Sequence, residues 1–127
     1  MHSFTFRRSL ALLTAGMLVS GLAQAHPKLL SSTPENNAVG AAPKAIELRF
    51  SEDLLPRFSG AKLIMTDMLG MSNSPMEVKT SASAGADPRT LLVTPAAALG
   101  KGRYRVEWRA VSSDTHPVTG TLGFEVR

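Results

Sequence analysis

The stretch from Arg103 to Val111 constrains the fold more than any other. Tyr104, Val106, Trp108 and Ala110 alternate with Arg103, Arg105, Glu107 and Arg109. A period of two puts the first set on one face and the second on the other, which is the pattern of a strand with one dry side and one wet side. Ala45 to Phe50 repeats it, with Ile46, Leu48 and Phe50 against Glu47 and Arg49. Thr121 to Arg127 does so again through Leu122, Phe124 and Val126. Shorter strands are predicted at Lys28 to Ser32 (an edge strand), Gly60 to Thr66, Glu77 to Thr80 and Thr90 to Thr94. The segments 81–88, 95–102 and 112–120 read as loops, the first because it is rich in Ala, Ser and Gly. No stretch reads as a helix. About seven short strands with turn chemistry between them predict an all-β domain, a two-sheet sandwich or a small barrel. Trp108 and Phe124 are expected in its core.

Residues 1–25 stand apart from this pattern. Arg7 and Arg8 form a positive start, Leu10 to Leu22 is apolar, and Ala23-Gln24-Ala25 supplies small residues at the cleavage positions. This is the layout of an export signal, too short to span a membrane as a helix. The paired arginines carry a partial twin-arginine pattern. The expected mature protein is a single domain, residues 26–127, located in the periplasm. Two of the 14 basic residues and none of the 10 acidic ones lie in the leader, so the formal charge falls from +4 to +2 on cleavage. No basic stripe with interleaved aromatics remains, so nucleic acid is not an expected partner.

There is no cysteine. Disulfides, thiolate zinc sites, blue copper sites and thiol redox chemistry are therefore excluded. Any chemistry must use nitrogen, oxygen or thioether donors.

Cleavage after Ala25 would make His26 the first residue, with an α-amine and an imidazole able to close a chelate ring on one metal ion. Pro27 has no amide N–H, so such an ion could not recruit the next backbone nitrogen. The one other histidine of the mature chain is His116, in Ser112-Ser113-Asp114-Thr115-His116-Pro117. In an extended segment Asp114 and His116 project to the same side. By itself the pair reads more readily as a turn-capping Asp and a surface His. Joined by His26, it becomes a nitrogen and carboxylate set suited to tetragonal Cu(II), and acceptable to Zn(II). Glu52, just after the Ala45–Phe50 strand, is a candidate fourth or outer group. Met65, Met68, Met71 and Met76 are all the methionines of the mature chain, gathered within twelve residues. Gly70 and Pro75 argue against a helical apolar stripe there. Thioethers are soft donors that select Cu(I), whereas gap filling is methionine's common structural role.

These residues together resemble the CopC family of periplasmic copper-binding proteins of bacterial copper resistance. The resemblance rests on His26-Pro27-Lys28-Leu29, Phe50-Ser51-Glu52, Phe58-Ser59-Gly60-Ala61-Lys62-Leu63, the methionine segment, and Trp108 through Pro117. It implies a Greek-key β-sandwich or barrel, similar to immunoglobulin-like and cupredoxin-like domains. It implies Cu(II) held by His26, Glu52, Asp114 and His116, and Cu(I) held by Met65, Met68, Met71 and Met76. It also implies a non-enzymatic copper carrier or buffer, expected as a monomer, exchanging metal with an inner-membrane CopD-like transporter or other periplasmic copper proteins. Two-site relatives usually carry a histidine before Ser-Pro-Met, where this chain has Asn73, a poor Cu(I) ligand. The alternatives are a copper-brace oxidative enzyme, suggested by an N-terminal His with a second His, and a metal-free interaction module.

Overall fold

A computed structural model describes residues 26–68 and 75–127. Its strands are β1 (Leu29–Thr33), β2 (Ala38–Gly40), β3 (Ile46–Phe50), β4 (Gly60–Met68), β5 (Met76–Val78), β6 (Thr80–Ala84), β7 (Thr90–Pro95), β8 (Gly102–Val111) and β9 (Pro117–Val126). No helix occurs among the described residues. The strands form two sheets, ordered β1-β3-β7-β6 and β2-β9-β8-β4-β5. The fold is thus the all-β sandwich that the alternating strands predict, and β1 is an edge strand as expected.

The alternation decides which side of each sheet is dry. Ile46, Leu48 and Phe50 of β3 and Leu91 and Val93 of β7 are buried from one sheet. Leu63 of β4, Tyr104, Val106, Trp108 and Ala110 of β8, and Leu122, Phe124 and Val126 of β9 meet them from the other. Phe50 meets the Trp108 ring edge-on at 5.1 Å, so the two sheets are joined through aromatic contact. Tyr104 stacks on Phe124 at 5.3 Å, and its hydroxyl donates to the Gly100 carbonyl.

Among the described residues nine strands replace the predicted seven, for identifiable reasons. The segment read as one strand at 77–80 followed by a loop is two strands. β5 pairs with β4 in one sheet and β6 with β7 in the other, so the chain changes sheets at Lys79. The Thr-Ser-Ala-Ser-Ala sequence of β6 is exposed along most of its length and shows no apolar alternation. It is held as an edge by backbone pairing alone. β2 is short and joins β9 in parallel, without a pattern of its own. β9 begins at Pro117 rather than Thr121, and proline is acceptable at the first position of a strand.

That earlier start places Gly120 opposite Trp108. A Cβ at Gly120 would run into the six-membered ring of the indole. Gly120→Ala is therefore expected to push Trp108 against Phe50 and to destabilise the fold by about 1–3 kcal/mol, as overpacking does. Urea unfolding followed by Trp108 emission would measure it. A loss below about 0.5 kcal/mol would mean that the ring moves freely.

Candidate metal centre

His26, Asp114 and His116 meet at one end of the sandwich because two separate hydrogen-bonded devices bring them there. The first holds the N-terminal arm. Pro27 is fully buried. Lys28 N–H donates to Ser51 Oγ at 2.9 Å, and Ser51 N–H donates back to the Lys28 carbonyl at 2.9 Å. His26 is thereby fixed beside the turn that follows β3. The second device shapes residues 112–116. Ser112 bridges to Leu54, and Thr115 N–H donates to the Ser112 carbonyl at 2.9 Å. Asp114 Oδ1 accepts from Ser112 Oγ at 3.0 Å and from His116 N–H at 3.1 Å. Thr115 has φ 63°, a left-handed conformation that a β-branched residue adopts only where its surroundings impose it.

With Oδ1 engaged, Oδ2 of Asp114 turns to His26. It lies 2.7 Å from Nδ1, with 9% of the Asp114 side chain exposed against 52% for His26. Oδ2 is closed off from solvent and paired with His26 Nδ1. The His26 and His116 rings are 5.8 Å apart and tilted by 44°. One donor atom from each of His26, Asp114 and His116 lies within 4.8 Å of the others. Two donors at right angles on an ion bound at about 2.0 Å would be about 2.8 Å apart, which the His26 Nδ1–Asp114 Oδ2 pair matches at 2.7 Å, while the wider three-residue group could draw in on one ion. A buried carboxylate oxygen needs a positive partner, and a metal ion shared with the imidazoles would supply it. Burial pushes the Asp114 carboxyl up. The His116 amide, the Ser112 hydroxyl and His26 pull it down more strongly, so it lies below its usual value.

Glu52 is half-buried next to Ser51 but is not in the three-residue group. The turn that carries it is tied down by Leu54 N–H to the Pro88 carbonyl at 2.8 Å and by the Arg89–Asp53 ion pair at 3.2 Å. Sequence reasoning missed Ser112, Ser51 and the buried Pro27 as positioning residues. A hydroxyl two residues before Asp114 was the available signal for Ser112. The Lys28–Ser51 pairing has no local signal.

Met65, Met68 and Met76 lie at the opposite end. Met65 faces Met76 across β4 and β5. Met65 is half-buried against the core, while Met68 and Met76 are 42% and 58% exposed. Met71 and Asn73 lie outside the described residues. Gly102 of β8 pairs with Met68, and Val111, at the other end of β8, precedes Ser112. The two groups are thus separated by the length of β8, about 30 Å at the rise of a strand.

Comparison with known proteins agrees with this architecture. The family model described as the CopC domain matches residues 29–127. Copper resistance protein C of Pseudomonas syringae pv. tomato is 62% identical over 116 residues, 91% of this chain and 92% of that protein. The crystal structure of PcoC, a methionine-rich copper resistance protein from Escherichia coli, superposes with a TM-score of 0.76 at 51% identity, covering 81% of this chain and all of that one. The copper transport protein CutJ of Bacillus subtilis is 30% identical over 103 residues, which are 80% of this chain but 18% of that longer protein. A match across nearly the whole folded domain, in both sequence and structure, places the chain in the CopC family.

Proposed function

We propose that the protein is an exported copper carrier or buffer that serves copper resistance from the periplasm. Residues 1–25 act as its cleaved signal. Cu(II) is held by His26, Asp114 and His116, with the freed α-amine of His26 as a further donor and Glu52 at the margin. Cu(I) is held by Met65, Met68, Met71 and Met76. The observation that carries the reading is the convergence of His26, Asp114 and His116, with the buried Asp114 Oδ2 2.7 Å from His26 Nδ1. A mixed nitrogen and carboxylate set suits Cu(II) best among divalent first-row ions. The names of the relatives, copper resistance protein C above all, support copper as the cargo.

The reading is non-enzymatic. A carboxylate standing among the imidazoles occupies room that oxygen would need at a reactive copper. The partner is proposed to be a CopD-like membrane transporter. The occurrence of a similar segment inside the longer copper transport protein CutJ supports it, since modules joined in one chain gain from proximity.

Titration of protein beginning at His26 tests the function. One Cu(II) per chain is expected, with an axial paramagnetic resonance spectrum of mixed nitrogen and oxygen coordination. Trp108, near the same end of β8, should be quenched in step. A spectrum indistinguishable from hexaaqua copper through the first equivalent would sink the proposal.

A further inference from the structure

The connection between β8 and β9 turns through a backbone conformation that its sequence does not favour. Val111 pairs with Pro117, so residues 112–116 close the hairpin. Two non-glycine residues among those described have positive φ, Asn37 at 66° and Thr115 at 63°. Asparagine enters the left-handed region readily, whereas a β-branched residue does so at a cost. Glycine or asparagine is the usual choice at a left-handed position in a hairpin loop. Thr115 is exposed, so burial of its side chain does not account for a threonine there.

Hydrogen bonds on both sides hold the conformation. Thr115 N–H donates to the Ser112 carbonyl at 2.9 Å, and His116 N–H donates to Asp114 Oδ1 at 3.1 Å. The Ser112 hydroxyl donates to the same Oδ1 at 3.0 Å. Bonds to a carboxylate are stronger than those between neutral groups, and they offset the strain of one residue held off its preferred basin. On the far side, Pro117 disfavours a helical backbone at His116. A β-branched residue has little room within the left-handed basin, where glycine has much. The backbone between the two donor residues is therefore stiff as well as strained.

We infer that Thr115 is a positioning residue of the metal centre, its stiff left-handed backbone fixing Asp114 and His116 relative to each other at the expense of local stability. This rests on the reading of His26, Asp114 and His116 as a Cu(II) site. Glycine at this position would carry no strain, and it would let the two donors turn independently. They would then be ordered only as the ion binds, and affinity would fall by the cost of that ordering.

The test compares Thr115→Gly and Thr115→Val with the parent, each beginning at His26. Cu(II) affinity is measured by competition with a chelator, and the melting temperature is measured without metal. Thr115→Gly should weaken Cu(II) about three- to tenfold, on the scale of ordering one residue, while the melting temperature stays level or rises. Its copper hyperfine lines should broaden, because the donors hold a wider spread of angles. Thr115→Val keeps the branched Cβ and drops the hydroxyl, and it should bind within twofold of the parent. An affinity for Thr115→Gly within twofold of the parent, or above it, would overturn the inference while leaving the metal centre standing. A parallel fall in affinity and melting temperature would also overturn it, since that is the mark of a residue that only shapes the hairpin. Equal losses in both variants would assign the effect to the hydroxyl and overturn it too. If the parent binds no Cu(II), the reading of the site itself fails and the role of Thr115 fails with it.

Discussion

Asp114→Asn is expected to weaken Cu(II) binding by about a hundredfold or more while leaving the fold intact. The two carboxylate oxygens have separate tasks. Oδ1 shapes the turn by accepting from Ser112 Oγ and His116 N–H. Oδ2 faces His26 Nδ1 and carries the charge that a cation needs. Asparagine retains an oxygen for the first task and loses the anion for the second. Loss of outer-shell partners alone costs metal sites about 10–100-fold, so loss of a charged direct donor should cost at least the upper part of that range. Asp114→Ala removes both functions. It should lower the melting temperature as well, because the His116 amide and the Ser112 hydroxyl lose their acceptor.

Acidity separates these contributions further. The Asp114 carboxyl is held below its ordinary value in the folded protein despite its burial. A depressed carboxyl stabilises the fold fully above the unfolded value of about 3.9. That contribution disappears as pH falls through the lower folded value. At neutral pH the carboxylate is already ionised, so metal loss on mild acidification comes from protons competing for the nitrogen donors. Asp114→Asn should therefore bind weakly throughout the neutral range rather than shift the midpoint of acid release. Isothermal titration at several pH values would measure this. Equal affinities for the two proteins at neutral pH would remove Asp114 from the coordination shell.

The sandwich was legible because its central strands obey a period of two. Tyr104 through Ala110, Ile46 through Phe50 and Leu122 through Val126 each state which side is buried, and the structure buries those sides. β6 was not legible, since an exposed edge strand of Thr, Ser and Ala is held by backbone pairing with β7 and leaves no side-chain pattern. The closeness of Asp114 and His116 could be read from their spacing. Their meeting with His26 could not be read from spacing, because it depends on the Lys28–Ser51 pairing across 23 residues. Resemblance to a family anticipated the meeting. The hydrogen bonds that bring it about, and the left-handed Thr115 between the two donors, appear only in three dimensions.

Adding one residue ahead of His26 is expected to weaken Cu(II) by about 10²–10⁴-fold, the loss that follows when a tethered donor is no longer intramolecular. The structure sets Nδ1, rather than Nε2, against Asp114 Oδ2. Nδ1 is the ring nitrogen that can close a six-membered chelate with the α-amine of the same residue. An added residue turns that amine into an amide and abolishes the chelate, while both imidazoles and Asp114 remain. Pro27 cannot compensate, because its nitrogen carries no proton to give up. The arm should stay in place, since the buried Pro27 and the Lys28–Ser51 hydrogen bonds do not involve the amine. The melting temperature of the metal-free protein should therefore be unchanged. Binding of Cu(I) at the distant methionine end should be unchanged too, because it lies a full length of β8 away. Nitrogen hyperfine structure in the paramagnetic resonance spectrum should lose one coupled nucleus. An affinity within threefold of the unextended protein, with the hyperfine pattern preserved, would show that the amine is not a donor. The proposed removal of residues 1–25 would then bear on the proposed export alone, and not on the assembly of the site.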